Sequence, residues 1–332
     1  MERYFSGLFG NEQTKRRLGD AIKRGSTPHA FLISGPEGSG KMTLAKEMAA
    51  AFNCESGANG LSPLPCHACN TCRRIFEGGF TDVKTLSKPK DKATVGVGEI
   101  RDFREDMFLS ATESDYKIYI INDAEKMTVN AQNALLKVLE EPPNNVVIIL
   151  LTESLDAILT TIKSRAQHIA MQRFGVDELE GYFGQGADGK RELLMASDGC
   201  IGKAKKMLGE NADEVRKTRN TILRAINAMK PRAPYSELYT AIKDFPTKKD
   251  ELCNTLECLM TALRDLIVSK FDKNAPCLFF TSREACEEIA RDIPTKRITQ
   301  IYDVVKDSLD DLSKNANVNA MITCLGARIK LI

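Results

Sequence analysis

The chain has 332 residues, 42% hydrophobic and 28% charged, the balance of a globular protein too long for one ordinary core, so two or three domains are expected. The formal net charge of +2 demands neither nucleic acid nor a membrane surface, and no apolar run reaches the roughly 18 residues that span a bilayer. Met1-Glu2-Arg3-Tyr4-Phe5 lacks the pattern of a signal peptide. The expected location is therefore the cytoplasm, where ten cysteines read as reduced thiols or metal ligands rather than disulfides.

In chain order, an amphipathic helix carrying Leu18, Ala21 and Ile22 on one face precedes a short buried strand, Ala30–Ile33. Ser34–Thr43 follows and spells G-x-x-x-x-G-K, with Gly35, Gly38, Gly40 and Lys41 as the phosphate-handling residues. Glycines let backbone N–H groups turn toward phosphate oxygens, and the lysine adds a point charge at the start of the next helix, Lys41–Asn53. The following position, which normally carries a magnesium-binding hydroxyl, is Met42. Thr43 cannot replace it, because one helical step turns a side chain by about 100°.

An insert rich in Gly, Pro, Asn and Cys, Cys54–Gly79, interrupts the pattern. Its cysteines, Cys54, Cys66, Cys69 and Cys72, have the tight C-x2-C spacing of a closed, structural zinc site; four reduced surface cysteines are the plainer alternative. His67 competes as a ligand only weakly, being adjacent to Cys66. The remaining cysteines, at 200, 253, 258, 277, 286 and 324, read as small core residues.

Strands are predicted at Asp82–Leu86, Lys117–Ile121, Val146–Leu151 and Gln167–Met171, and helices at Glu99–Leu109, Thr128–Glu141 and Ala157–Lys163. Thr128 is the expected N-cap of its helix, with Ala131, Leu135, Val138 and Leu139 on the buried side. This alternation predicts a doubly wound α/β domain ending near Arg173. The strand ending at Ile121 delivers Asn122-Asp123 where a P-loop ATPase usually has an acidic pair, so a second magnesium contact is impaired along with Met42. Thr152 follows the next strand as a candidate γ-phosphate sensor, and Arg165 follows a short helix.

Beyond Arg173 the pattern is helical. Short helices at Val176–Phe183, Lys190–Ser197 and Ile201–Leu208 come first, and from Asn211 helices continue. Leu252, Leu256, Leu259, Leu263 and Leu266 form one stripe and Ile298, Ile301, Val305, Leu309 and Leu312 another; intramolecular bundle packing is expected in preference to a coiled coil, which would sustain more heptads.

The phosphate loop, the four-cysteine insert, the run Asn133-Ala134-Leu135-Leu136-Lys137-Val138-Leu139-Glu140-Glu141-Pro142-Pro143 and Ser164-Arg165 occur in that order. Together they resemble the AAA+ clamp-loader subunits of bacterial DNA polymerase III, over residues 1–210. The resemblance implies a P-loop AAA+ domain with a parallel sheet and zinc insert at 1–173, a small helical lid domain at 174–210 and an all-α collar domain for oligomerisation at 211–332. Within the family, Met42, Asn122 and Gly202 favour the delta-prime branch, whose own nucleotide site is often degraded; Gly202 stands where motor subunits carry a lid arginine, and Lys203 beside it would point elsewhere. The alternative is the ATP-hydrolysing tau/gamma motor branch. A P-loop kinase lacks support, since no acceptor-substrate motif is visible.

The resemblance further implies that Arg165, with Ser164 as its partner, is an arginine finger supplied in trans to a neighbouring ATPase subunit; Ala166 replaces the family's cysteine there. On this reading the chain is a stator that hydrolyses little ATP alone, with ATP or ADP binding left open because Lys41 and the glycines remain. Its expected partners are tau/gamma and delta subunits, with the sliding clamp and primed DNA reached through the complex.

Overall fold

The structure is a computed structural model describing residues 4–58, 63–89, 94–187, 190–209, 212–272, 274–314 and 316–332. It divides into two compact units, residues 1–173 and 174–332.

The first unit runs α1 (Glu12–Lys23), β1 (Ala30–Ser34), α2 (Lys41–Phe52), α3 (Glu55–Ala58), α4 (Asn70–Glu77), β2 (Val83–Leu86), α5 (Val97–Met107), β3 (Lys117–Ile121), α6 (Val129–Glu140), β4 (Val146–Thr152), α7 (Thr160–Lys163) and β5 (Gln167–Ala170). The strands form one parallel sheet in the order β2-β3-β4-β1-β5. The three central strands, β3, β4 and β1, are covered on both faces and are buried throughout, so they are apolar with little alternation. Phe31, Ile33, Ile118, Ile120, Val147 and Ile149 point to the layer built by α1, α2 and α4. Ala30, Leu32, Tyr119, Ile121, Ile148 and Leu150 point to the layer of α5, α6 and α7. Thr128 caps α6 as the sequence predicts, its hydroxyl accepting from the Ala131 N–H at 3.2 Å. At the other end, His29 Nε2 donates to the Leu139 carbonyl at 2.9 Å, satisfying one of the terminal acceptors that a helix leaves open.

One expectation needs correction in this unit, and the insert holds elements that were not predicted. These are α3 and α4, the latter begun by Cys69, whose sulfur accepts from the Cys72 N–H. Only Thr160–Lys163 of the predicted 157–163 helix is helical. The segment before α1 is also built in. Tyr4 bridges to Leu64 in the insert, the Phe5 N–H donates to the Leu64 carbonyl at 2.8 Å, and the Tyr4 hydroxyl donates to Asp20 at 2.8 Å. Gly19 is required beneath Tyr4, because a Cβ there would lie 2.3 Å from the ring.

The second unit is helical among the described residues: α8 (Val176–Phe183), α9 (Arg191–Ala196), α10 (Ile201–Leu208), α11 (Ala212–Ala228), α12 (Tyr235–Lys243), α13 (Lys249–Phe271), α14 (Arg283–Asp292), α15 (Thr295–Ser313) and α16 (Val318–Lys330). Glu210 and Asn211, where the sequence divides lid from collar, lie outside the described residues. The leucine stripe of α13 and the apolar stripe of α15 bury into a single core, with Leu309 half-buried at its margin. That is the intramolecular packing expected. Among the six scattered cysteines, Cys324 is exposed and is not a core residue.

The helical run is broken between α13 and α14, and a buried acid organises the break. One oxygen of Asp265 accepts from the N–H groups of Leu278, Phe279 and Phe280 at 2.8, 2.7 and 3.3 Å, while the other accepts from Arg264 at 2.9 Å. Asp265→Ala orphans these donors, and we expect it to cost about 2–4 kcal/mol. Calorimetry of the full chain should show the loss as a lower Tm in the transition of this unit.

Candidate functional site

β1 lies between β4 and β5, so the chain leaves its carboxyl end beside the carboxyl end of β4. Open parallel sheets form ligand crevices at such a point. Ser34 pairs with Thr152, and the Gly35 N–H donates to the Thr152 carbonyl at 3.1 Å. The loop then closes through Gly38 and Gly40, whose φ angles of 76° and 94° lie in the left-handed region. A Cβ on Gly35 would sit 2.7 Å from Ser39 Oγ, so the loop is wound too tightly for a side chain there. Ser39 Oγ is itself buried and has no hydrogen-bond partner among the described residues. An orphaned hydroxyl inside a glycine cradle fits a phosphate acceptor, and Gly35, Gly38, Gly40, Ser39 and Lys41 are the residues that would hold one.

Apart from Ser39, several polar residues around the loop are engaged within the chain, mostly with backbone carbonyls. Lys41 Nζ donates to the carbonyls of Gly35 and Pro36 at 2.6 and 3.0 Å, and Glu153 lies 3.6 Å from it. Glu153 is a participant that sequence reasoning missed; its only signal was its place next to Thr152. Thr152 is fully buried and folds onto its own turn, donating to the Ser154 carbonyl at 2.9 Å. Asn122 is half-buried, held by its N–H to the Leu86 carbonyl. Asp123 adopts a left-handed φ of 52° and lies 3.9 Å from Lys126. Met42, in the first turn of α2, is half-buried against the core, and Thr43 is exposed.

Arg165 is placed by α6 and α7. Gln132, buried in α6, donates to the carbonyl of Ala157 at 3.0 Å and accepts from the Leu159 N–H at 2.8 Å, tethering the approach to α7. Lys163 donates back to Leu155 at 2.7 Å. Arg165 emerges just after α7, its side chain 36% exposed.

The four insert cysteines converge. Their sulfurs all lie within 4.8 Å of one another, and Cys66 and Cys72 are 3.9 Å apart. A tetrahedral zinc with Zn–S near 2.3 Å needs sulfurs about 3.8 Å apart, so the cluster has the dimensions to hold such an ion. Backbone N–H groups of Cys66, Cys69 and Cys72 donate to the sulfurs of Cys54, Cys66 and Cys69 at 3.3–3.4 Å. Burial pushes the Cys66 thiol up, but the N–H groups of Cys69 and Ala68, with the Ser56 and Cys69 side chains, together outweigh it and bring the thiol down to about 6. Burial pushes the Cys72 thiol up, and the charges of Cys54 and Cys69 add to the rise. All four can be thiolates together only with a cation among them to offset their mutual repulsion. His67 turns away from the cluster, stacking on Phe76 with centroids 4.9 Å apart and bringing Nε2 to 3.3 Å from Glu47 of α2.

These features define a P-loop protein of the AAA+ class with a cysteine insert. A family model described as DNA polymerase III, delta subunit, matches residues 10–175, half of the chain. The chain is 25% identical to DNA polymerase III subunit delta' of Bacillus subtilis, over 92% of both chains. It is 27% identical to subunit tau of the same organism over 93% of this chain, spanning only 58% of that relative's length. Among solved structures, a DNA polymerase III gamma subunit-related protein from Thermotoga maritima superposes with a TM-score of 0.52 at 16% identity, covering 95% of this chain and 98% of that one. The chain belongs to the DNA polymerase III delta-subunit family of AAA+ clamp-loader subunits.

Glu47 ties the phosphate-loop helix to the insert. It is 1% exposed; the Gly7 N–H binds its carboxylate, and burial pushes the carboxyl up to about 7 against the pull of that N–H and of Lys15. A folded value above the ordinary 4.5 means that the protonated form is favoured by folding. Its contribution is fully present below pH 4.5 and is lost as the pH rises through 7. Glu47→Gln should remove about 2–3 kcal/mol of that decline between acid and neutral pH. Urea unfolding of both proteins across the range measures it, and parallel pH profiles would show that Glu47 ionises freely in the fold.

Proposed function

We propose that this chain is the delta-prime, stator subunit of a DNA polymerase III clamp loader, acting within a hetero-oligomer of tau/gamma and delta subunits in the cytoplasm. Its role is to help place the sliding clamp on primed DNA, presenting Arg165 to the nucleotide of a neighbouring subunit. The observation that carries this reading is the contrast between two cationic groups. Lys41 is turned onto its own loop and faces Glu153, in a site where Met42 and Asn122 replace both magnesium-ordering residues. Arg165 stands on the surface beside Ser164, paired with Glu140 at one end of a guanidinium that keeps other N–H groups open. A carboxylate at the lysine and two lost magnesium contacts disfavour hydrolysis here, whereas an exposed guanidinium suits phosphate charge developing on another chain. On this reading the lid is 174–210 and the collar 211–332.

A tau/gamma-type motor is the second reading. It is favoured by the intact glycines and Lys41, by the orphaned Ser39 hydroxyl, and by the tau relative matched over most of this chain. ATP or ADP held by Gly35, Gly38, Gly40 and Lys41, with Asn122, Asp123 and Thr152 at its γ end, is compatible with either.

The deciding experiment is turnover of ATP by the chain alone and by a reconstituted loader. The chain alone should be nearly inactive. Arg165→Ala should leave assembly intact and lower clamp- and DNA-stimulated turnover, by less than the roughly 10³–10⁵ that a finger is worth at one site, since other sites keep their own. Turnover by the isolated chain that Lys41→Ala abolishes would establish the motor reading instead.

We also propose that Cys54, Cys66, Cys69 and Cys72 hold one structural zinc. Protein purified without added metal should contain close to one equivalent by elemental analysis, and strong chelation should lower the Tm of the first unit. Four freely titrating thiols in metal-poor, fully folded protein would overturn this.

A further inference from the structure

Arg165 is held by a specific set of neighbours. Nη2 lies 2.7 Å from Glu140 Oε1, and Nη1 donates to the Thr161 carbonyl at 3.1 Å and to Ser164 Oγ at 3.3 Å. Ser164 Oγ donates in turn to the Thr161 carbonyl at 3.0 Å. A guanidinium has five N–H donors. Three are engaged in this set, which leaves Nε–H and one Nη2–H without a partner among the described residues.

Glu140 is in an unusual place for an acid. It is the last residue of α6, where the helix presents unpaired carbonyls and the negative end of its dipole. An anion there is disfavoured locally, and the Arg165 cation offsets the repulsion. Both groups are half-exposed, so the pair is too weak to be a stability device. A weak, directional contact can still select one rotamer of a long, flexible side chain.

We propose that Glu140 is the positioning residue for Arg165. It anchors one end of the guanidinium, while the side chain keeps two donors open for the oxygens of a phosphate on the neighbouring subunit. This inference rests on the finger reading of Arg165. Glu140 touches no nucleotide itself and acts through the arginine.

The test is a double-mutant cycle in the reconstituted loader, comparing wild type, Glu140→Ala, Glu140→Gln, Arg165→Ala and the Glu140→Ala/Arg165→Ala pair at matched assembly. Glu140→Ala should lower the kcat of clamp- and DNA-stimulated ATP turnover roughly two- to fivefold, the range to which an exposed ion pair converts, with little change in KM for ATP. Glu140→Gln, which keeps the acceptor but not the charge, should fall between. In the Arg165→Ala background, Glu140→Ala should change nothing further. If Arg165→Ala lowers turnover while both Glu140 variants match or exceed wild type, the positioning role is wrong and the finger reading survives. An equal loss from Glu140→Ala in both backgrounds also overturns it, since Glu140 then acts by another route. If Arg165→Ala itself has no effect, the finger reading fails first and this inference with it.

Discussion

Everything at the carboxyl edge of the sheet depends on the pairing of β1 with β4. That pairing sets Ser34 against Thr152 and lets the Gly35 N–H close onto the Thr152 carbonyl. The loop after β1 is thereby fixed at both ends, by this hydrogen bond and by the first turn of α2. The glycines between have to absorb the curvature. The same adjacency brings Glu153, the residue after β4, to the loop lysine. A parallel neighbour in another register would have moved that carboxylate one strand pleat away.

Charge is handled differently around the phosphate loop and at Arg165. Around the phosphate loop, cations and anions lie close to partners within the same chain: Lys41 with Glu153, Asp123 with Lys126. At Arg165 the pairing uses only part of the side chain's capacity. Gln132 carries the mechanical link, since its amide reaches across to Ala157 and Leu159 and so fixes where α7 begins relative to α6. A buried amide with both ends satisfied is rigid, and that rigidity carries forward to Arg165.

The sheet was legible in the sequence because its three central strands, β3, β4 and β1, are nearly unbroken apolar runs, and the phosphate loop because its glycines and lysine stand at a fixed spacing. Thr128 could be read as a cap because capping is local. What escaped was tertiary or polar. The α4 helix was hidden because Asn70–Glu77 has charged residues on one side and is begun by a cysteine, a residue read for its thiol chemistry. Gln132 and Glu140 were given no role of their own; their partners lie 25–27 residues further on, beyond any periodicity. Cys324 was assigned to the core by its residue type, but its helix turns it outward. The convergence of the four insert cysteines could be read from spacing, whereas the escape of His67 toward Glu47 could not, since it requires the insert to lie against α2.

The contact of Tyr4 and Phe5 with Leu64 bears on what kind of object the insert is. Its backbone is paired to a segment that comes before the whole α/β unit, and that segment in turn lies over α1 and supplies the Gly7 N–H to Glu47. The insert is therefore a keystone and not an appendage. A lineage that discarded the cysteines could not trim the loop back to a simple turn. It would have to find a new lining for Phe5 and a new neighbour for Glu47 together, a coordinated change that single substitutions do not easily reach.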